Sequence, residues 1–390
     1  MTSAVALQHS AVAEPETVAL VVEPRLRELH LSELTEPGLL ANWEALAERA
    51  SEPNPFYESW YLLPSLLSLD PEQVVRVLVL ESEAGWLGLM PIKSDRWYYR
   101  YPLPQLCSWL HGNCFLGLPL IAAGHEKPFW QALLKWADAN AGSGLFLHLS
   151  QLPLETEPCR ALQAVLTEQG RKAAIVHREE RAMLASDLSP DDYLAGTLSG
   201  KKRKELGRQL TRLSEQGEVV FEQCDDKTGL EAWIEHFLTL EAGGWKGKAG
   251  SALASSPDTD ALFRKALAGA AQRSKLQRQS LLLDGRPIAM LATFLTPPGS
   301  FSFKTAFDQS YSRFSPGVLL QCRNLALLEQ PGIAWSDSCA AADHPMIDHI
   351  WRERREMVRM SIAVGGMAKR NVFGALLRLE TGGTAKEKSA

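Results

Sequence analysis

Hydrophobic and polar positions alternate between strand and helix periods from residue 26 onward. Residues 26–31 read as a strand, and 37–50 set Leu39, Leu40, Trp43, Leu46 and Ala47 at helical spacing. A β-branched run at 74–80, a turn at 81–85 and a return run at 86–92 predict a hairpin. Helices are predicted at 128–139 and 159–168, and strands at 145–149 and 173–177. One long amphipathic helix is predicted over 191–216. Ser189 caps it, Pro190 opens it, and Asp191 and Asp192 lie near the positive end of its dipole. The second half predicts a strand at 219–224, helices at 229–241 and 259–273, and a hairpin of 276–283 with 287–295 around Asp284-Gly285. A strand at 301–307, a helix at 316–328, a short strand at 333–335 and a helix at 346–356 follow.

Both halves therefore run strand, helix, hairpin, further helix and strand, without a residue-level repeat. The expected fold class is α/β (α+β), with two lobes in tandem, each a mixed, mainly antiparallel sheet flanked by helices. The expected organisation is a flexible leader at 1–24, a first lobe at 25–180, a second at 181–375 and a flexible tail at 376–390. The leader lacks a basic flank, and Glu14, Pro15 and Glu16 interrupt its apolar stretch, so it does not read as a signal peptide.

Composition narrows the class. With 45% apolar and 22% charged residues in 390, the chain is of globular type and long enough for two cores. No apolar run approaches the roughly 20 residues of a membrane span. A net charge of −5 gives no general drive toward nucleic acid, so no nucleic-acid partner is expected. The six cysteines, at 107, 114, 159, 224, 322 and 339, are too sparse for a disulfide scaffold and form no CxxC pair. Reduced thiols, no metal site and a cytoplasmic location are expected.

The stretch most informative for chemistry is 301–322, FSFKTAFDQSYSRFSPGVLLQC. A strand holding Lys304 runs through Asp308 and Arg313 into Ser315-Pro316-Gly317, where a helix starts. Free N–H groups at such a start suit a pyrophosphate, although S-P-G is also common helix punctuation. Further polar clusters are Leu240-Glu241-Ala242-Gly243-Gly244-Trp245-Lys246-Gly247, the segment Asp337-Ser338-Cys339-Ala340, and Asp343-His344-Pro345. A basic helix carries Lys201, Lys202, Arg203, Lys204, Arg208 and Arg212 between leucines. It is either a solvated face or a seat for anionic groups.

Phe307-Asp308 followed by Ser315-Pro316-Gly317 resembles the GNAT-type acyltransferases of the CelD-like group, which are related to the Fem peptidyltransferases. The basic helix, the Gly-rich segment around Trp245 and the hairpin at Asp284-Gly285-Arg286-Pro287 add to the resemblance. It covers about 180–360 well and 25–180 only in general pattern. The usual pyrophosphate loop is degenerate: Arg313 is present, but Gly317 falls one place late. The segment around Asp337 also resembles a branch that includes bacterial ceramide synthases.

The resemblance implies two GNAT-like lobes and an N-acyltransferase that uses acetyl- or long-chain acyl-CoA as co-substrate. The acceptor would be the amine of a small molecule or a lipid, either a sphingoid base, giving ceramide, or an envelope-sugar precursor. A lipid acceptor would bring peripheral contact with the inner membrane. The alternatives are a Fem-like transferase using aminoacyl-tRNA, an acetyltransferase of polysaccharide biosynthesis, and a noncatalytic scaffold. The candidate cofactor residues are Arg313, Ser315, Gly317 and Val318, and the candidate substrate residues are Trp245, Lys246 and Ser338. Direct attack of an amine on a thioester needs a base and donors for the carbonyl oxygen. Asp337 or His344 is expected as the base, with Lys304, Asp308 and Glu241 as further polar players. Lys304 is expected to pair with Asp308 or Glu241. Cys339 offers a rival route through a thiol acyl intermediate.

Overall fold

The computed structural model describes residues 23–387. The expected leader at 1–24 therefore lies almost wholly outside the described residues. The first half starts with β1 (Arg25–Leu29), α1 (Pro37–Glu48) and α2 (Ser59–Leu69). The hairpin β2 (Arg76–Ser82) and β3 (Gly85–Asp95) follows, then β4 (Gln105–Ser108) and β5 (Leu120–Ile121). Next come α3 (Glu126–Asn140), β6 (Phe146–Pro153), α4 (Glu157–Glu168) and β7 (Ala173–Leu184). The connection to the second half is α5 (Pro190–Thr197) and α6 (Gly200–Ser214).

The second half contains β8 (Val219–Cys224), α7 (Leu230–Ala242), the short α8 (Trp245–Lys248) and α9 (Pro257–Gln272). The hairpin β9 (Leu276–Leu283) and β10 (Arg286–Thr296) leads to β11 (Gly299–Phe307) and α10 (Pro316–Arg323). The chain closes with β12 (Trp335–Asp337), β13 (Glu353–Ala363) and α11 (Met367–Glu387).

Among the described residues, all thirteen strands join one mixed sheet, in the order β1-β2-β3-β4-β6-β13-β7-β12-β11-β10-β9-β8, with β5 alongside β3. The expected mixed α/β class holds, and the two halves share a single sheet. The boundary expected at 180/181 falls inside β7.

Three sequence expectations are corrected. The helix expected over 191–216 is two helices, because Ser199 takes an extended backbone and caps α6 by accepting from Lys202 N. The helix expected at 346–356 is replaced by turns and the start of β13. That strand lies between β6 and β7 and reads Met357, Val358, Met360, Ile362, a run apolar on both faces. The tail expected from 376 begins inside α11.

Each half holds one parallel strand pair that soon parts. β11 and β12 pair only over Gly299–Trp335, Ser300–Ser336 and Phe301–Asp337. Beyond this, Ser338 N donates to Ala182 O of β7, while β11 stays with β10. A wedge opens there, and the β12-facing edge of β11 is left unpaired. In the first half, β4 and β6 pair at Leu106–Leu147 and Cys107–His148.

That first wedge is filled by the chain's own loop, residues 109–119. Gly117 N donates to Gln151 O (2.9 Å), and the buried Asn54 amide donates to Leu116 O and Leu118 O. A Cβ at Gly117 would run into the Ser150 carbonyl. Gly117→Ala is expected to cost about 1–3 kcal/mol, measured as a lower urea midpoint. An unchanged midpoint would show that the loop yields freely.

Candidate active site

The open wedge holds a cavity of about 280 Å³. Four parts of the second half line it. β11 supplies Phe303, Lys304 and Thr305. The end of α7 and the start of α8 supply Glu241, Trp245 and Lys246. The segment after β12 supplies Ser338, Cys339 and His344, and α10 adds Gln321. The filled wedge of the first half adds Phe115, whose carbonyl accepts from Arg181 Nη1 at 2.7 Å.

The segment after β12 owes its shape to Asp337, which is completely buried. Its Oδ1 accepts from Cys339 N (2.8 Å) and holds Cys339 at φ +52°, in the left-handed region. Arg181 lies 3.4 Å from Oδ1 and Arg355 lies 3.5 Å from Oδ2. Arg355 also pairs with Glu52 and stacks over Trp335. Downstream, Ile347, Ile350 and Trp351 bury against Tyr193 and Leu325. This anchors His344, whose carbonyl accepts from Ile347 N and Asp348 N.

Burial, reinforced by the Lys246 charge, lowers the His344 pKa below the usual imidazole value against the pull of Asp348. His344 Nδ1 accepts from Met346 N at 3.4 Å. A neutral imidazole therefore faces the cavity near pH 7. Burial, and next Lys246, lower Lys304 to about 8, with Glu241 and Cys339 opposing. Burial and Asp337 push the Cys339 thiol far up. A thiol held protonated is a poor nucleophile, which disfavours the thiol acyl route.

Among the expected site residues, Glu241, Trp245, Lys246, Lys304, Ser338, Cys339 and His344 line one cavity. Asp337 does not. It is enclosed by two arginines behind the segment it shapes. Asp308 caps the 3₁₀ turn after β11 by accepting from Ser310 N, and it pairs with Arg286 (3.3 Å). Lys304 takes neither expected partner. Glu241 accepts from Lys246 Nζ (2.7 Å) and Leu253 N (2.8 Å) instead.

The expected cofactor residues sit at the outer end of β11. A Cβ at Gly317 would lie 3.3 Å from the Phe307 ring and 2.9 Å from Met346 Sδ, so α10 starts against the end of the open edge. The close packing there, rather than an open cradle, accounts for this glycine. Ser315 has φ +53° and its side chain caps nothing. Val318 is half-buried, and Arg313 is exposed with its guanidinium over Phe314. The first-turn N–H groups of α10 have no intrahelical partner. Sequence reasoning missed Phe115, Gln321, Arg181 and Arg355. Phe115 lies in a loop far away in sequence, and nothing local marks it.

Residues 200–344 match the family of acetyltransferase (GNAT) domains. The match supports an N-acyltransferase. No curated protein matches the chain in sequence. Among solved structures, one similar fold is a domain described as the C-terminal part of a putative lysylphosphatidylglycerol synthetase from Agrobacterium fabrum. It shares 13% identity, 87% of this chain, 95% of that chain and a TM-score of 0.52. FemX is a second, with 9% identity, 86% and 96% coverage and a TM-score of 0.52. At these identities the likeness is one of fold, and it extends over both halves of the chain.

Among the described residues, no cluster of His, Cys, Asp and Glu could hold a metal, and all six cysteines are free. No described helix is long and apolar enough to cross a membrane.

Proposed function

We propose that this protein transfers a short acyl group from acyl-CoA to the amine of a small polar acceptor. The observation that carries this reading is the wedge itself. An unpaired β-edge runs from a cavity containing a neutral histidine to the start of α10. In the reaction the amine lone pair attacks the thioester carbonyl carbon and a C–N bond forms. The C–S bond then breaks, and the sulfur leaves with the electron pair. His344 takes the proton released by the amine nitrogen on Nδ1, which holds the ring's lone pair and gives up its 3.4 Å contact with Met346 N. The Ser338 hydroxyl and the free β11 edge offer hydrogen bonds for orienting the substrates. Trp245, 58% exposed at the mouth, provides an outer wall that can shift as substrates enter.

The cavity volume favours a small acceptor. About 280 Å³ is at the low end for ligand pockets, and the lining mixes aromatic rings with lysines and a histidine. That suits an amino-sugar or amino-acid type of amine better than a sphingoid base with a long chain. The exposed basic face of α6, with Lys201, Lys204 and Arg208, favours a second reading, a polyanionic donor such as aminoacyl-tRNA.

Thermal unfolding with ligand separates the two. Acetyl-CoA at about 100 times its Kd is expected to stabilise the fold by about 2.7 kcal/mol, and palmitoyl-CoA by no more than acetyl-CoA. A larger shift with palmitoyl-CoA would restore the lipid reading. No shift with either would remove acyl-CoA as the donor.

A further inference from the structure

We propose that Lys304 is the seat of an anionic group, a carboxylate or phosphate, carried by one of the two substrates. This deepens the acyltransfer reading and rests on it for the site's purpose. The starting point is a departure from the chain's own practice. Elsewhere the sequestered cations are paired: Lys275 with Glu48 and Glu58, Arg171 with Asp138, and Arg181 and Arg355 with Asp337. Burial without a partner is costly, which is why such pairing is the rule. Among the described residues, none forms a hydrogen bond or ion pair with the Lys304 ammonium. It sits 5.1 Å from the centre of the Phe115 ring and 5.7 Å from that of Phe303.

Every nearby carboxylate is already engaged. Glu241 is held by Lys246 and Leu253 N, Asp308 by Ser310 and Arg286, and Asp337 by its two arginines. The other titratable groups facing Lys304 supply no countercharge. Lys246 on α8 is a like charge, and burial raises the Cys339 thiol after β12. His344 in the same cavity is neutral. His111 of the first-half loop is driven to about 4 by burial and by Lys304 itself. At pH 7 a lysine with a pKa of about 8 is still roughly 90% protonated. The half-buried ammonium thus has no hydrogen-bonded or ion-paired anion among the described residues, and Glu241 acts on it only from a distance.

A ligand anion would complete the pair. The source is either an acceptor that bears a carboxylate or phosphate near its amine, or a dicarboxylic acyl group on the thioester. Phe115 and Phe303 would pack against its apolar body. A plain long-chain amine brings no such group and would leave Lys304 unmet.

Matched probes test the seat. On the donor side, succinyl-CoA is compared with acetyl-CoA. On the acceptor side, serine is compared with ethanolamine, and glucosamine 6-phosphate with glucosamine, each by calorimetry in buffers of different ionisation enthalpy. The anionic member of at least one pair is expected to bind tenfold or more tighter, and the pair that responds names the source. Because the anion restores the ammonium, its binding above pH 8 should take up a fraction of a proton. Lys304→Met should abolish both the preference and the uptake, with Lys304→Gln used if the methionine variant does not fold. Equal affinities within every pair, or uptake that survives both substitutions, overturns the proposal. Succinate titrated alone tests the seat without CoA. Proton uptake with succinate but no response to any acyl-CoA would keep the anion seat and reject the acyl-CoA donor.

Discussion

Replacing His344 with glutamine is expected to lower kcat by roughly 10²–10⁴-fold, with a smaller change in KM. The imidazole lines the cavity and its neutral form dominates near pH 7, which is what a base requires. The sign of its pKa shift sets the pH profile. Burial and the Lys246 charge favour the neutral ring, so the pKa falls below the ordinary imidazole value. The acidic limb of kcat/KM should therefore lie below the usual histidine range, and the rate should hold as pH drops past about 6.5. Lys246→Met removes the neighbouring charge and should move that limb upward. A profile for the glutamine variant that matches wild type in rate and shape would eliminate His344 as the base.

Asp337→Ala is expected to destabilise the fold by about 3–5 kcal/mol, because it leaves Arg181 and Arg355 buried without their shared carboxylate. The cost would appear as a lower urea midpoint. Asp337→Asn keeps the acceptor for Cys339 N but loses the charge, and should lose part of that stability. The same pair of variants settles the division of labour with His344. Folded Asp337→Asn protein should keep far more activity than His344→Gln. If it is as stable as wild type yet as inactive as the histidine variant, the base is Asp337 rather than His344.

The elements legible in the sequence are those whose pattern is local. The hairpin of β9 and β10 is announced by Asp284-Gly285 between two apolar runs, and β8 and α7 follow their own periods. The helix α2 is hidden because WYLLPSLLSL is apolar all round, with Pro64 inside it, so no period stands out. β13 reads as a helix because its start, Glu353 to Glu356, is charged and compatible with one, while its strand state depends on β6 and β7 some 170–210 residues earlier.

At the site, the residue types around Glu241, Lys304 and His344 are readable, since polar residues near turns and strand ends attract notice. Their partners are not. That Glu241 turns to Lys246 and Leu253, and that Asp337 serves two arginines from β7 and β13, depends on distant strands meeting. Phe115 is the extreme case, a loop residue of one half that walls the cavity of the other.

The position of β13 also has a consequence for how the protein is made. β6 and β7 are synthesised early, yet each waits for its neighbour until residues 353–363 have emerged from the ribosome. Until then both strands present unpaired edges, the kind that seek pairing with other chains. The first half cannot close its sheet before those residues emerge, and its completion depends on contacts of very long sequence separation, which slow folding. Nascent chains stalled before residue 353 should therefore be protease-sensitive across β6 and β7, and release of the last strand should protect both together.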